Sequence, residues 1–413
     1  MTALMETRTS MKAICPRKAL FDAVQTVGHA VSGRNPLPIL SHILISADDQ
    51  GLRLMATDLE LGISCRVAHR AVLDESGAPE AFKSSTQVLE PGSLTSPARV
   101  LTEVLANLPD KDDVAISVDR SHTVRIHCDY SRSDFKILGL PAEEYPQLPE
   151  VSDSVGFAIP QSRLREMIKQ TLFAVSSDEA RAILTGVLVV FEEETVKFVA
   201  TDTHRLAVKE AKITSGRGGP QRAIVPARAM NELSRLLSDS EGDVQVTISN
   251  NQIQFALPGE TDVQIVSRLI EGQFPNYQRV IPSEFHKKLT INVDALHSAV
   301  RRATIVAREN AHRIVFRTEP GKLVLTAESA MVGNVREEVE IEREGEDVEI
   351  AFNARYLLDV LNVLDAETIQ LELTEPLRPG VLRPINTLAP VESADPLGSE
   401  EDYLCVLMPM QIV

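Results

Sequence analysis

The sequence predicts an α+β protein built from three tandem units of similar topology. Three observations carry that reading: a short helical motif occurs three times, an alternating strand-like run follows each copy, and a strand with a marked turn precedes each. The motif reads PARVLTEVL at 97–105, PARAMNELS at 226–234 and NARYLLDVL at 353–361, an interval of about 130 residues. The alternating runs are VAISV (114–118), VQVTIS (244–249) and IQLEL (369–373). Period-two alternation puts apolar side chains on one face of a strand.

Taken along the chain, residues 1–10 (MTALMETRTS) have no apolar leader core and read as an extension. Each unit then opens with a helix, at 16–31, 161–176 and 294–308. The first carries an apolar stripe of Leu20, Phe21, Val24, Val27 and Val31; in the third, Asp294 is the expected N-cap. The turn-bearing strands follow: LRLMATDLELGISCRV (52–67), VKFVATDTHRLAVKE (196–210) and LVLTAESAMVGNVREEVE (323–340). Two Pro-bearing segments, 141–150 and 274–288, read as linkers. SGRGGP (215–220) reads as a surface turn, and 375–402 as a long Pro-rich loop inserted in the third unit.

Composition narrows the function. The chain has 413 residues, 43% hydrophobic and 24% charged, as expected of folded globular protein. Its net charge of −17 excludes a uniformly basic DNA-coating protein but leaves room for a local basic face. No apolar run reaches a membrane span, so a cytoplasmic protein with no membrane partner is expected. Cys15, Cys65, Cys128 and Cys405 are scattered, as for reduced thiols. Phosphate-loop, nucleophile-elbow and zinc-protease motifs are absent, and the nine histidines lack metal-ligand spacing. The expectation is no catalytic residue, no metal and no cofactor. Asp58 and Asp202 recur at the ATD turns, where a carboxylate is a natural turn former; Glu328 in the third copy departs from a shared catalytic role.

The first helix of each unit directs its polar face in a consistent way. Arg165 and Lys169 lie opposite the stripe Leu164, Met167, Ile168, Leu172 and Val175. Arg301 and Arg308 share a face of the third helix, and Arg99, Arg228 and Arg355 start the short helices. Basic faces on equivalent helices of an acidic chain suit a polyanion held through phosphates without base reading. Aromatic residues make up 4% and Trp is absent, which disfavours single-strand stacking.

The stretches GRNPLPIL (33–40), ATDLEL (56–61), ATDTHRLAV (200–208), FPNYQRVIP (274–282) and VLMPM (406–410), in that order, resemble the bacterial sliding clamps, the β subunits of DNA polymerase III. The resemblance spans about residues 11–413 and implies a non-catalytic clamp that gives a polymerase processivity. It divides the chain into an extension (1–10) and clamp domains at 11–146, 147–282 and 283–413. It implies a head-to-tail homodimer, a six-domain ring with helices inside and sheets outside. The implied partners are double-stranded DNA, the polymerase III α subunit, a clamp loader, and other polymerases and repair proteins that offer short clamp-binding peptides. The expected DNA-facing residues are Arg34, Arg99, Arg165, Lys169, Arg228, Arg301 and Arg308. The implied dimer contact brings Ile305 and Val306 against Phe135 and Ile137, with Glu337, Glu338 and Glu340 opposite Arg132 and Lys136; Asp134 weakens that match.

The resemblance also implies a peptide cleft. Leu184, Thr201, His204, Arg205 and Leu206 form its middle-domain wall. Pro275, Arg279 and Val280 come from the interdomain segment, and Val406, Met408, Pro409 and Met410 from the C-terminal strand. Leu, Val, Pro and Met with a few polar groups suit aliphatic and aromatic peptide anchors. The chain departs from the family at Thr203 (often Gly), Pro376 (often small and polar), Asp178 (often an amide) and the tail Gln411–Val413, which lacks a basic residue. Read from residues alone, a tandem protein-binding scaffold without DNA stays open beside the clamp.

Overall fold

The computed structural model describes residues 11–32, 37–68, 86–148, 155–192, 194–217, 219–238, 242–259, 261–385 and 402–412. These divide into two compact units: one within 1–156, 235–237 and 241–268, the other within 157–234, 238–240 and 269–413. The division cuts across the second repeat, and the strand pairing explains why.

In the first unit, helices α1 (Arg17–Gly28) and α2 (Ala98–Asn107) pack on each other. Arg17 ties them: its Nε donates to the Leu105 carbonyl at 2.7 Å and its Nη1 to Asp110 at 2.6 Å. An antiparallel sheet runs Gln87–Glu90, Met11–Pro16, Asp113–Val118, Thr123–Cys128, Ser133–Leu138, so Ser133–Leu138 is an edge strand. A second sheet contains the run Asp243–Ile248, Gln252–Leu257, Val263–Arg268, Leu61–Ala68, Gly51–Thr57, His42–Asp48, Gly92–Pro97. Within it, Val263–Arg268 from the second repeat pairs with Leu61–Ala68 from the first, Gln264 opposite Ser64. The second half of repeat two therefore completes a sheet of repeat one.

In the second unit, helices α3 (Gln161–Leu172), α4 (Ala227–Leu236), α5 (Val293–Ala307) and α6 (Ala354–Leu361) accompany a sheet of twelve strands. Its strands Arg205–Lys212 and Asp402–Leu407 pair antiparallel, Leu206 opposite Val406, which joins repeat two to repeat three. Leu296, Val300, Ala303 and Ala307 of α5 and Leu357 and Val360 of α6 are buried in one core with Phe316 and Phe352.

Strands run straight into helices through proline in the first two repeats. Pro16, Pro97 and Pro160 occupy N-cap positions with φ near −55° and extended ψ, a geometry the ring favours. The third repeat uses asparagine instead, and its side chains cap: Asn292 Oδ1 accepts from Ala295 N at 3.0 Å and Asn353 Oδ1 from Arg355 N at 2.9 Å. Asn292, not Asp294, is thus the cap of α5; Asp294 sits in its first turn.

Other expectations change. The first two leading helices are shorter than the stripe suggested, ending at Gly28 and Leu172, while the third keeps its length and is shifted by one residue to Val293–Ala307. Ser215–Arg217 is a short strand and not only a turn. The 375–402 insertion is not one loop: Gly380–Ile385 is a strand paired on both sides, with Thr368–Leu373 and Asp402–Leu407. Its alternation is masked by Pro384, opposite Ile369. Residues 386–401, like the 1–10 extension, lie outside the described residues. Neither linker is free. Tyr145 is buried and donates its hydroxyl to the His42 carbonyl at 3.0 Å; Phe274, Tyr277, Val280, Ile281 and Phe285 pack on the core around Leu206 and Val406.

Candidate functional site

The ATD turn of the second unit is fixed by its own side chains. Thr201 Oγ1 donates to the Arg205 carbonyl at 2.7 Å and accepts from Thr203 N at 3.1 Å. Asp202 Oδ1 accepts from His204 N at 2.9 Å and Arg205 N at 3.0 Å. Both Asp58 and Asp202 are turn formers in the structure. The strand that leaves the turn carries Leu206, buried on its inner face.

Arg205 is held on several sides. Its Nε donates to Asp202 Oδ2 at 3.0 Å and its Nη1 to Asp359 Oδ2 of α6 at 2.5 Å. The guanidinium also lies 4.6 Å from the Tyr356 ring and 5.3 Å from that of Phe173. With its charge matched and its stem free to pack, a 10% exposed arginine can line an apolar surface.

That surface is a cavity of about 160 Å³. Leu184, Thr201, Arg205 and Leu206 line it from the middle repeat, Pro275 and Val280 from the segment after it, and Val406 and Met408 from the Asp402–Leu407 strand and its exit. Three segments far apart in sequence meet there because Arg205–Lys212 and Asp402–Leu407 are neighbouring strands and the 3₁₀ turn Tyr277–Val280 packs across them.

Four expected residues do not line the cavity. His204 turns away and stacks on Tyr356, ring centroids 6.1 Å apart, while its carbonyl accepts from Met408 N at 2.9 Å. Met410 bridges to Ala351 through its N–H at 2.8 Å, which draws the chain after Met408 toward the third repeat. Pro409 lies between, half-buried, and Arg279 is exposed on the 3₁₀ turn. Conversely, Thr203, Asn276 and Tyr277 line the cavity. Tyr277 was legible as an aromatic between Pro275 and Val280; Thr203 stood out only as a departure.

The basic residues are exposed wherever the structure describes them. Arg165 and Lys169 lie on the outer face of α3, Arg228 on α4, Arg301 and Arg308 on and just after α5. Arg99 of α2 is exposed but bonded to Glu103 one turn on, at 2.9 Å. Arg34 lies outside the described residues.

The expected dimer contacts fare unevenly. Ile305 is 63% exposed, as its place off the α5 stripe requires, and Val306 is half-buried. On the edge strand Ser133–Leu138, alternation puts Phe135 and Ile137 on one face and Leu138 on the other; Ile137 is 8% exposed and belongs to its own core, Phe135 on the same face stays 36% exposed, and the outward apolar residue is Leu138. Phe135 lines a notch of about 280 Å³ with Val100, Val104, Leu108 and Pro109. The expected acidic-to-basic match is largely used up within each copy. Glu337 pairs with Arg302, Glu338 with Lys322 and Arg336, and Asp134 with Arg125. In the strand Gly333–Glu344, residues 333–340 pair with Lys322–Ser329 on one side only among the described residues.

The four cysteines are buried free thiols, and burial pushes Cys15 up to about 11 and Cys65 up to about 12. Among the described residues no helix is long and apolar enough to cross a membrane.

Known proteins share this architecture. Family profiles described as the N-terminal, central and C-terminal domains of the DNA polymerase III beta subunit match residues 11–149, 158–276 and 278–389. The beta sliding clamp of Bacillus subtilis is 31% identical over 379 residues, covering 91% of this chain and 96% of its own. That of Caulobacter vibrioides is 33% identical over 406 residues, covering 97% and 100%. A crystal structure of the Bacillus subtilis polymerase sliding clamp superposes with a TM-score of 0.87 at 29% identity, over 98% of this chain and 100% of that one.

Proposed function

The chain belongs to the β sliding clamp family of DNA polymerase III, and on that premise we propose that it closes around duplex DNA as a head-to-tail homodimer and holds partner proteins by peptides in the Leu206–Met408 cleft. It is a DNA sliding clamp of three tandem clamp domains, a non-enzymatic processivity subunit. The observation that carries the reading is the meeting of three distant segments in one apolar cavity. A cleft of that kind takes an apolar side chain from a short peptide of the polymerase III α subunit, another polymerase, a repair protein or the clamp loader. Domain limits at residues 146 and 282, and a cytoplasmic setting, belong to the same proposal.

Arg165, Lys169, Arg228, Arg301 and Arg308, with Arg99 and Arg34, are proposed to face DNA. A closed ring holds DNA by topology, so weak phosphate contacts suffice and leave it free to slide. Ring closure is proposed to seat Ile305 of one copy in the Phe135 notch of the other. The edges of Ser133–Leu138 and of residues 333–340, each unpaired on one side among the described residues, support that joint. Since Glu337, Glu338 and Asp134 are matched within each copy, apolar burial would carry most of the contact, at about 1.5–3 kcal/mol for a full side chain.

Retention on nicked circular DNA, with release on linearisation, tests the ring. The pair Ile305→Asp and Val306→Asp should give a folded monomer by analytical ultracentrifugation that is lost from the circle. A variant still dimeric at low micromolar concentration would overturn this joint.

A further inference from the structure

We propose that Thr203 decides which side chain the cleft accepts, admitting one aliphatic or single-ring anchor and turning away a fused-ring one; the proposal rests on the cleft reading above.

The starting point is backbone strain. Thr203 has φ of +79°, a left-handed conformation that a β-branched residue rarely adopts. The turn does not need a threonine there. The contact that fixes the position is the backbone N–H donating to Thr201 Oγ1, which any residue but proline supplies. The same turn in the first unit puts Leu59 at the same φ with the same N–H contact, to Thr57 Oγ1 at 3.0 Å. Glycine would satisfy both turns without strain. Both turns carry this strain, so what sets Thr203 apart is where its side chain goes.

The Thr203 side chain has two engagements. It lines the cavity, and its Oγ1 accepts from Arg181 Nη1 at 3.4 Å. Arg181 is itself fixed by Asp178, whose Oδ2 accepts from its Nε at 2.9 Å while Oδ1 accepts from Ala180 N. The chain Asp178–Arg181–Thr203 links the threonine hydroxyl to a fixed guanidinium at the cavity wall. Asp178 and Thr203, two departures noted in the sequence, are thus one device. The cleft offers a space of about 160 Å³. A dry apolar cavity of ~150 Å³ holds one benzene, so the space beside Thr203 is on the scale of a leucine side chain or a single ring, and an indole is expected to press on the threonine wall.

The experiment uses the full chain and fluorescein-labelled nonapeptides from the clamp-binding segment of the cognate replicative polymerase. The peptides are identical but for Leu, Phe or Trp at the anchor, and binding is read by anisotropy. The parent should bind the Leu and Phe peptides alike and the Trp peptide at least about 10-fold more weakly, the scale of a mismatch in an apolar pocket. Thr203→Gly should abolish most of that difference, and Thr203→Ala should move the same way, which guards against a glycine that merely loosens the turn. Arg181→Ala, acting through Thr203, should narrow the Trp-to-Leu ratio by about 3-fold, with Arg181→Lys restoring part of it. A merely structural role would weaken all peptides together and leave their ratio fixed. An unchanged ratio in both Thr203 variants overturns the proposal while the cleft stands. Failure of the parent to bind the Leu and Phe peptides overturns the cleft and this proposal with it.

Discussion

The turns at 57–61 and 201–205 are built alike and used differently. In each, a threonine hydroxyl donates four residues ahead, at 2.9 Å from Thr57 and 2.7 Å from Thr201. In each, an aspartate Oδ1 collects the next N–H groups and the residue after it stands at φ of +79°. The side chains differ at the last three positions, and the fifth shows the largest contrast. Leu61 points into its own core, 3% exposed, whereas Arg205 reaches α6 and the two rings beside it. The repeated scaffold keeps its hydrogen bonds and changes three side chains, with Thr203, His204 and Arg205 where the first turn has Leu59, Glu60 and Leu61, and the cavity lies beside the copy that carries the arginine. The turn is thus a platform, and the residue at its exit determines whether the platform becomes a site.

The largest effect should come from that residue. Arg205→Ala leaves Asp202 and Asp359 without their cation, and stability should fall by about 3–5 kcal/mol, with peptide binding lost. Leu61→Ala should cost about 2–5 kcal/mol in urea unfolding and leave peptide affinity unchanged. If both variants kept the peptide, the contrast between the turns would collapse. Met408→Ala, away from either turn, should weaken a clamp-binding peptide by about 1–3 kcal/mol in titration calorimetry with the melting temperature held. Asp58→Ala and Asp202→Ala should each lose about 1–2 kcal/mol of stability through orphaned N–H groups, but only the second should lower peptide affinity, because only Asp202 also steadies Arg205. The smallest effect belongs to Leu59→Gly. Relief of the left-handed backbone is offset by the glycine's greater freedom when unfolded, leaving a gain of about 0.5 kcal/mol in thermal melts and no change in peptide binding.

The three repeats were legible because helix stripes and alternating runs are local signals. So was the exposure of Ile305, which follows from its angle on the α5 wheel. What escaped was non-local. Nothing local in Val263–Arg268 says that it pairs with Leu61–Ala68 of another repeat, so three units in sequence became two compact bodies in space. Gly380–Ile385 was hidden by Pro384, which sits past the part of the strand that pairs with Asp402–Leu407. At the cleft, the residues on paired strands were placed well, since register carries side chains with it: Leu206 faces Val406. Those beyond a strand end were not. His204 and Met410 follow contacts to Tyr356 and Ala351 that no pattern in their own segments encodes.

The join between Arg205–Lys212 and Asp402–Leu407 also has a meaning in time. A ribosome adding ~5–20 residues per second makes the second strand roughly 10–40 s after the first. For that interval the Arg205–Lys212 edge waits with its N–H and C=O groups bare, and the cleft has no floor. On the proposed cleft reading, a nascent chain offers partners no complete surface until its most distant piece is delivered. The same delay makes this edge the place where a stalled chain would begin to aggregate.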